Sequence, residues 1–220
     1  MISRLLVIYA ALARAQLAVV EDGRMLVQRS SSERMGMAGR IPLMLAEMLA
    51  ALNPHNIDAV TVTVGPGSFT GIRAGMALAE GWAMAAGKPL IPVSVGEALR
   101  QSIPDLQGRS LWAAIDSRRD HAFLETDHGA VSCALASLPR PDGPVAVAGD
   151  AAIEVAARLL AQGFDVMLTD ARQPDLLGIA AAALLRAQGH LPPRTIAPFY
   201  IDPPEAKLPA GGLRPAPSEA

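Results

Sequence analysis

A β-branched run that stops on a glycine loop and restarts as a helix is the feature that most constrains this chain. Residues 58–64 read DAVTVTV and residues 65–71 read GPGSFTG. Alternation and β-branching predict a strand for the first run. A helix is expected from Ile72 to Ala86. Gly87-Lys88-Pro89 closes it with a C-cap glycine, a cation that complements the helix dipole and a proline stop. Ser68 or Thr70 is the expected N-cap. Backbone N–H groups at such a helix start can hold an anion. Known phosphate motifs nevertheless fail letter by letter. Walker A needs Gly-x4-Gly-Lys, yet Thr70 stands five positions after Gly65 and no Lys follows. The dinucleotide fingerprint needs a glycine three after Gly67, and Thr70 is there too. From the residues alone, a capped tight turn and a phosphate loop both stay open.

Around this segment the sequence predicts strands at 4–9, 14–20 and 23–30, with Asp22-Gly23 as a hairpin turn. A helix is expected at 40–52, where Pro42 is tolerable in the first turn. A short strand at 90–93 and a short helix at 95–101 follow. The second half repeats the order more loosely. Strands are expected at 110–116, 120–126, 145–148 and 164–168, with helices at 151–162 and 175–188. There is no close sequence repeat between the halves. Hairpin strands followed by βα units imply mixed sheets covered by helices. The expected division is an N-terminal lobe over 1–99, a C-terminal lobe over 100–205 and a flexible tail over 206–220. Eight of the eighteen prolines lie from Pro192 onward.

Composition excludes several classes. Of the 220 residues, 51% are hydrophobic and 41 are Ala, which is too apolar for disorder. No uninterrupted apolar run approaches the ~18 residues of a membrane span, and the N-terminus lacks a signal-peptide pattern, so a cytoplasmic protein without a membrane partner is expected. A lone Cys133 excludes a disulfide framework and a multi-cysteine zinc site. A net charge of −2 argues against a chain that grips nucleic acid by itself.

The glycine loop is more specific than either generic reading. GPGSFTGIRAGMALAEGWAMAAGKPLIPVS closely resembles the TsaB (YeaZ) family of bacterial tRNA-modification proteins. Gly65, Pro66, Gly67, Ser68, Phe69, Thr70, Gly71, Arg73, Gly75 and Gly81 sit where that family has them. AAIDSRRDHAFLE (113–125) is similar to a second family hairpin, and PFYIDPPEAKLP (198–209) resembles its C-terminal motif. The resemblance implies a two-lobed actin/hexokinase-like, ribonuclease H-like α/β fold. It implies a non-catalytic subunit that activates a TsaD-like partner in threonylcarbamoyl transfer to the adenosine beside the anticodon, together with a TsaE-like ATPase. Contact with tRNA would be indirect. No cofactor is expected for the chain alone, while nucleotide at a shared interface and a homodimer of the free chain stay open. The family's Asp-Thr-Ser at the end of the first strand is missing: Tyr9-Ala10-Ala11 stands there, and no carboxylate lies between Met1 and Val20.

Candidate chemistry is sparse. His55, His121, His128 and His190 form no metal-ligand spacing. No Gly-x-Ser-x-Gly elbow is present. Asp116 and Asp120 are expected as turn formers. Arg118 and Arg119 are candidates for touching tRNA or an acidic partner, against the alternative of a solvated turn. The helix at 40–52 is apolar nearly all round and must be covered on more than one side. The family pairs through its first two helices, so the resemblance carries the interface onto Ile41, Met44, Leu45, Met48, Arg73, Met76 and Glu80. Small residues at Gly71, Gly75, Ala79 and Ala83 suggest a stripe where a partner helix approaches. The alternative is an actin/hexokinase-like ATPase or phosphotransferase using the 65–71 loop.

Overall fold

Two antiparallel meanders, each extended by parallel strands, form the frame of the molecule. The computed structural model describes residues 2–31, 37–50, 52, 54–118 and 120–201. In the first meander, β1 (Arg4–Tyr9), β2 (Ala15–Glu21) and β3 (Arg24–Ser31) pair in sequence. Asp22 and Gly23 both have positive φ, 47° and 76°, as a two-residue hairpin turn of this hand requires. Next come α1 (Met37–Ala50), β4 (Ala59–Thr63), α2 (Phe69–Ala86), β5 (Leu90–Val93) and α3 (Val95–Ser102). β4 runs parallel to β1, and β5 runs parallel to β4, giving the sheet order β3-β2-β1-β4-β5.

The second half builds the same plan from a different sequence. β6 (Ser110–Arg118), β7 (His121–Thr126) and β8 (Gly129–Ala134) form a meander. β9 (Val145–Ala148), α4 (Ala152–Ala161), β10 (Val166–Leu168) and α5 (Leu176–Ala187) complete it. Its order is β8-β7-β6-β9-β10, with β9 and β10 parallel to β6. The two five-stranded sheets are thus topological copies. This is the expected two-lobed, actin/hexokinase-like α/β fold.

Packing proceeds in layers. α1 and α2 cover one face of the first sheet, while α3 and α5 lie under the other face, between the sheets. β6 alternates accordingly: Leu111, Ala113 and Ile115 join the core shared with the first lobe, and Trp112 and Ala114 join the core under α4. β5 would leave an open sheet edge. Pro92 removes one donor there, and the Arg186 guanidinium takes the Pro92 carbonyl, so the edge is blunted.

Three sequence expectations shift. α1 starts at Met37, so Pro42 is the sixth helical residue and not in the first turn. α2 begins at Phe69 because Ser68, one of the two expected caps, accepts from the Gly71 N–H. β8 was not expected, because GAVSCA lacks a strong alternating apolar signal and holds its place by pairing with β7 alone. The tail at 206–220 lies outside the described residues.

Candidate functional site

The glycine loop is knitted into the protein on every side. Ser68 N–H donates to the Ala11 carbonyl at 2.6 Å, and Val95 N–H donates to the Gly65 carbonyl at 2.8 Å. Phe199 N–H reaches back from the C-terminal segment to the Val64 carbonyl at 2.7 Å. A Cβ on Gly67 would stand 2.1 Å from the Ala11 carbonyl oxygen, and one on Gly71 would stand 2.1 Å from the Ala10 oxygen. The β1–β2 hairpin therefore fills the concave side of the loop. An open phosphate cradle needs free N–H groups facing an empty concavity. Here the Ser68 and Gly71 N–H groups already have protein acceptors.

The same joint recurs in the second lobe. A Cβ on Gly149, between β9 and α4, would stand 2.1 Å from the Ala114 oxygen, and Ala151 N–H donates to that oxygen at 3.1 Å. Asp150 lies at this joint and accepts from the Asp116 N–H at 2.8 Å. Burial pushes its carboxyl above the ordinary range, and the Asp116 charge adds to that, against the pull of the Asp116 N–H. Tyr9 is fully buried at the end of β1. Burial first, then the Asp150 charge, hold its hydroxyl far above the ordinary value, against a weaker pull from the Leu12 amide. The end of β1 thus carries a neutral phenol and no acid. Asp120 sits in the β6–β7 turn with φ +60°, as expected for a turn former. Arg119 lies outside the described residues, and Arg118 is placed by its backbone at the end of β6. Among the described residues no group of three or more His, Cys, Asp or Glu could hold a metal ion.

The helical face differs most from expectation. Ile41, Met44, Leu45, Met48 and Met76 are all buried at 5% exposure or less within the chain's own core. Only Arg73 and Glu80 of the expected seven point to solvent. The stripe Gly71, Gly75, Ala79 and Ala83 is likewise buried. Gly75 faces Ala10, Ile8 and Val62, so these small residues let α2 approach its own sheet. The outward face of α1 instead carries Leu43, 62% exposed, with Ala46 and Glu47. That of α2 carries Phe69, Arg73, Ala77, Glu80 and Met84, with Met84 82% exposed. On α1, Arg40 and Glu47 mark the solvent side, and contact with β2, β3 and α2 decides which of the apolar residues turn inward.

An interlobe cluster escaped the sequence reading. Ser94 caps α3 in a box with Glu97. Glu125, from β7 of the other lobe, accepts from the Gly96 N–H at 2.9 Å and from the Ser94 hydroxyl. Glu97 also accepts from Arg186 of α5 and from Arg194 at 3.0 Å. Burial raises the Glu125 carboxyl above its ordinary value, with the Glu97 charge adding to it, against hydrogen bonds from Ser94 and Gly96. Burial also opposes ionisation of Glu97, but Arg186, the Ser94 N–H and Arg194 together hold its carboxyl below the ordinary value. The Ser-x-x-Glu spacing of 94–97 was a legible signal. The three residues that converge on it from 125, 186 and 194 were not.

The family described as TsaD, tRNA N6-adenosine threonylcarbamoyltransferase, matches residues 37–164, more than half of the chain. The chain belongs to this family. It is homologous to the TsaB (YeaZ) proteins. It is 40% identical to tRNA threonylcarbamoyladenosine biosynthesis protein TsaB of Haemophilus influenzae over 88 residues, 39% of this chain and 37% of that protein. An uncharacterized protein of Mycobacterium bovis is 33% identical over 166 residues, 72% of this chain and 70% of that one. The solved structure of YeaZ from Pseudomonas aeruginosa superposes with a TM-score of 0.72 at 22% identity, covering 90% of this chain and 99% of that one. The fold is therefore shared with YeaZ. Among the described residues, no helix is long and apolar enough to cross a membrane.

Proposed function

We propose that the chain is a non-catalytic, TsaB-like subunit that docks on a TsaD-like transferase through the outward face of α1 and α2. By doing so it supports threonylcarbamoyl transfer to the adenosine beside the anticodon. A TsaE-like ATPase completes the assembly, and tRNA is engaged mainly through the partner. The carrying observation is the exposure of Leu43 and Met84, 62% and 82%, on two adjacent helices. Covering one such side chain stabilises an interface by about 1.5–3 kcal/mol. The family match and the homology to TsaB supply the partner class. The filled loop at Gly67 and the phenol at Tyr9 weigh against the ATPase alternative.

The test is co-purification of the chain with the TsaD-like subunit of the same cell. Leu43→Glu with Met84→Glu should abolish the complex and lower tRNA modification by the reconstituted set, with the thermal melt of the isolated chain unchanged. A fully folded double variant that still co-purifies would overturn the docking face.

A further inference from the structure

One exposed arginine of α2 is ordered before any partner arrives. The Arg73 guanidinium carbon lies 3.6 Å from the Phe69 ring centroid and 5.7 Å from that of Tyr200. Its Nε donates to the Tyr200 hydroxyl at 2.7 Å. The two rings stack with centroids 5.7 Å apart and planes 22° apart. Phe69 is 50% exposed, and Arg73 is exposed. The two terminal nitrogens of Arg73 make no hydrogen bond among the described residues. An unrestrained arginine loses much rotamer freedom on binding; one already fixed on two rings loses less. The free end of the guanidinium is a fork that a carboxylate takes in two parallel hydrogen bonds.

Tyr200 reaches this place from the far end of the chain. Beyond α5, Arg194 pairs with Glu97 of the first lobe and, at 3.8 Å, with Glu125 of the second, and it lies 4.7 Å over the Phe199 ring. Phe199 then bonds to the end of β4, and the next residue, Tyr200, meets α2. The C-terminal segment is therefore anchored on both lobes and delivers one ring to the helical face.

We infer that Phe69, Arg73 and Tyr200 form a carboxylate receptor at one end of the α1–α2 face, which takes an Asp or Glu side chain of the docking subunit. This rests on the docking reading given above. Charge and polarity select a protein carboxylate over an RNA phosphate. Glu47 and Glu80 are exposed on the same two helices and repel a polyanion, while Leu43 and Met84 suit a protein surface. Tyr200 is a positioning residue: it aims Arg73 and need not touch the carboxylate.

The experiment titrates the purified TsaD-like subunit with wild type, Arg73→Ala, Tyr200→Ala, Tyr200→Phe and Leu43→Glu by calorimetry at low and high salt. Melting curves of each variant serve as the fold control. Arg73→Ala should weaken binding about tenfold or more and flatten its salt dependence. Tyr200→Ala should lose several-fold, and Tyr200→Phe, which keeps the ring and drops the acceptor, should fall between it and wild type. If Arg73→Ala and Tyr200→Ala bind within about twofold of wild type while Leu43→Glu abolishes binding, the receptor is wrong and the docking face stands. Unaltered binding by all of the variants, Leu43→Glu included, removes both. A parallel filter-binding assay with tRNA covers the other anion: loss of tRNA retention in Arg73→Ala at unchanged partner affinity assigns the fork to phosphate and overturns the inference.

Discussion

Gly71 and Gly81 lie on the same helix, and the same substitution at each should change stability in opposite directions. A Cβ on Gly81 would meet nothing within 4 Å. Ala is favoured over Gly in an exposed helix interior by about 1 kcal/mol, so Gly81→Ala should stabilise by up to that amount. A Cβ on Gly71 would stand 2.1 Å from the Ala10 carbonyl oxygen. Ordinary carbon–oxygen contacts close to about 3.3 Å, so α2 would have to withdraw from β1 by roughly 1 Å. The obstacle is backbone, which no rotamer change relieves. A gap of that size forfeits about a quarter to a half of each dispersion contact along the buried stripe of Ile72, Gly75, Met76, Ala79 and Ala83. Withdrawal would also stretch the 2.6 Å bond from Ser68 N–H to the Ala11 carbonyl. Such overpacking costs about 1–3 kcal/mol, and the helix-propensity gain offsets part of it. The net expectation is a loss of about 1–2 kcal/mol for Gly71→Ala. Urea melts followed by far-ultraviolet circular dichroism read both variants against wild type. If Gly71→Ala matched Gly81→Ala in sign and size, the close seat of α2 on the hairpin, and with it the filled loop, would be refuted.

Two further outcomes follow from the core and the interlobe cluster. Met48 is fully buried, so Met48→Ala should cost about 2–5 kcal/mol of stability, while binding of the TsaD-like subunit, measured per folded molecule, stays at wild-type strength. Weaker binding with unchanged stability would return Met48 to the interface. The second concerns pH. A carboxyl raised above its ordinary 4.5 contributes stability that is full below the unfolded value and is lost as pH rises through the folded value, and Glu125 is such a group. Glu97, held below 4.5, does the reverse, and its contribution disappears only in more acidic solution. From about pH 5 to 8, the urea midpoint of Glu125→Gln should therefore rise relative to wild type as pH increases. A difference independent of pH would contradict the reading of Glu125 as a carboxyl disfavoured in its charged form.

Nine of the ten strands and several helix ends were legible because they are local matters. Asp22-Gly23 dictates a hairpin, Ser94-x-x-Glu97 a capping box, and Gly87-Lys88-Pro89 a helix stop, each through bonds that span a few residues. The motif at 65–71 was legible too, since its letters are specific, but not what its glycines do. Their role depends on Ala10 and Ala11, more than fifty residues earlier in sequence, whose carbonyl oxygens occupy the space a side chain would need. The duplication of the two lobes was legible only as a loose repeat of element order, because topology survives where sequence similarity does not.

Sequence by itself determined the family, the α/β order and the presence of an apolar helix after the third strand. It left open how the apolar residues of that helix divide between core and surface. Arg40 and Glu47 mark the solvent side, yet Leu43 between them is as apolar as Ile41, Met44 and Met48, and the seat on the sheet and on α2 turned the latter group inward and left Leu43 in solvent. The same holds for Arg73, whose position was legible while its fixed direction was not. That direction comes from Tyr200, 127 residues away, brought to α2 by a segment anchored on both lobes.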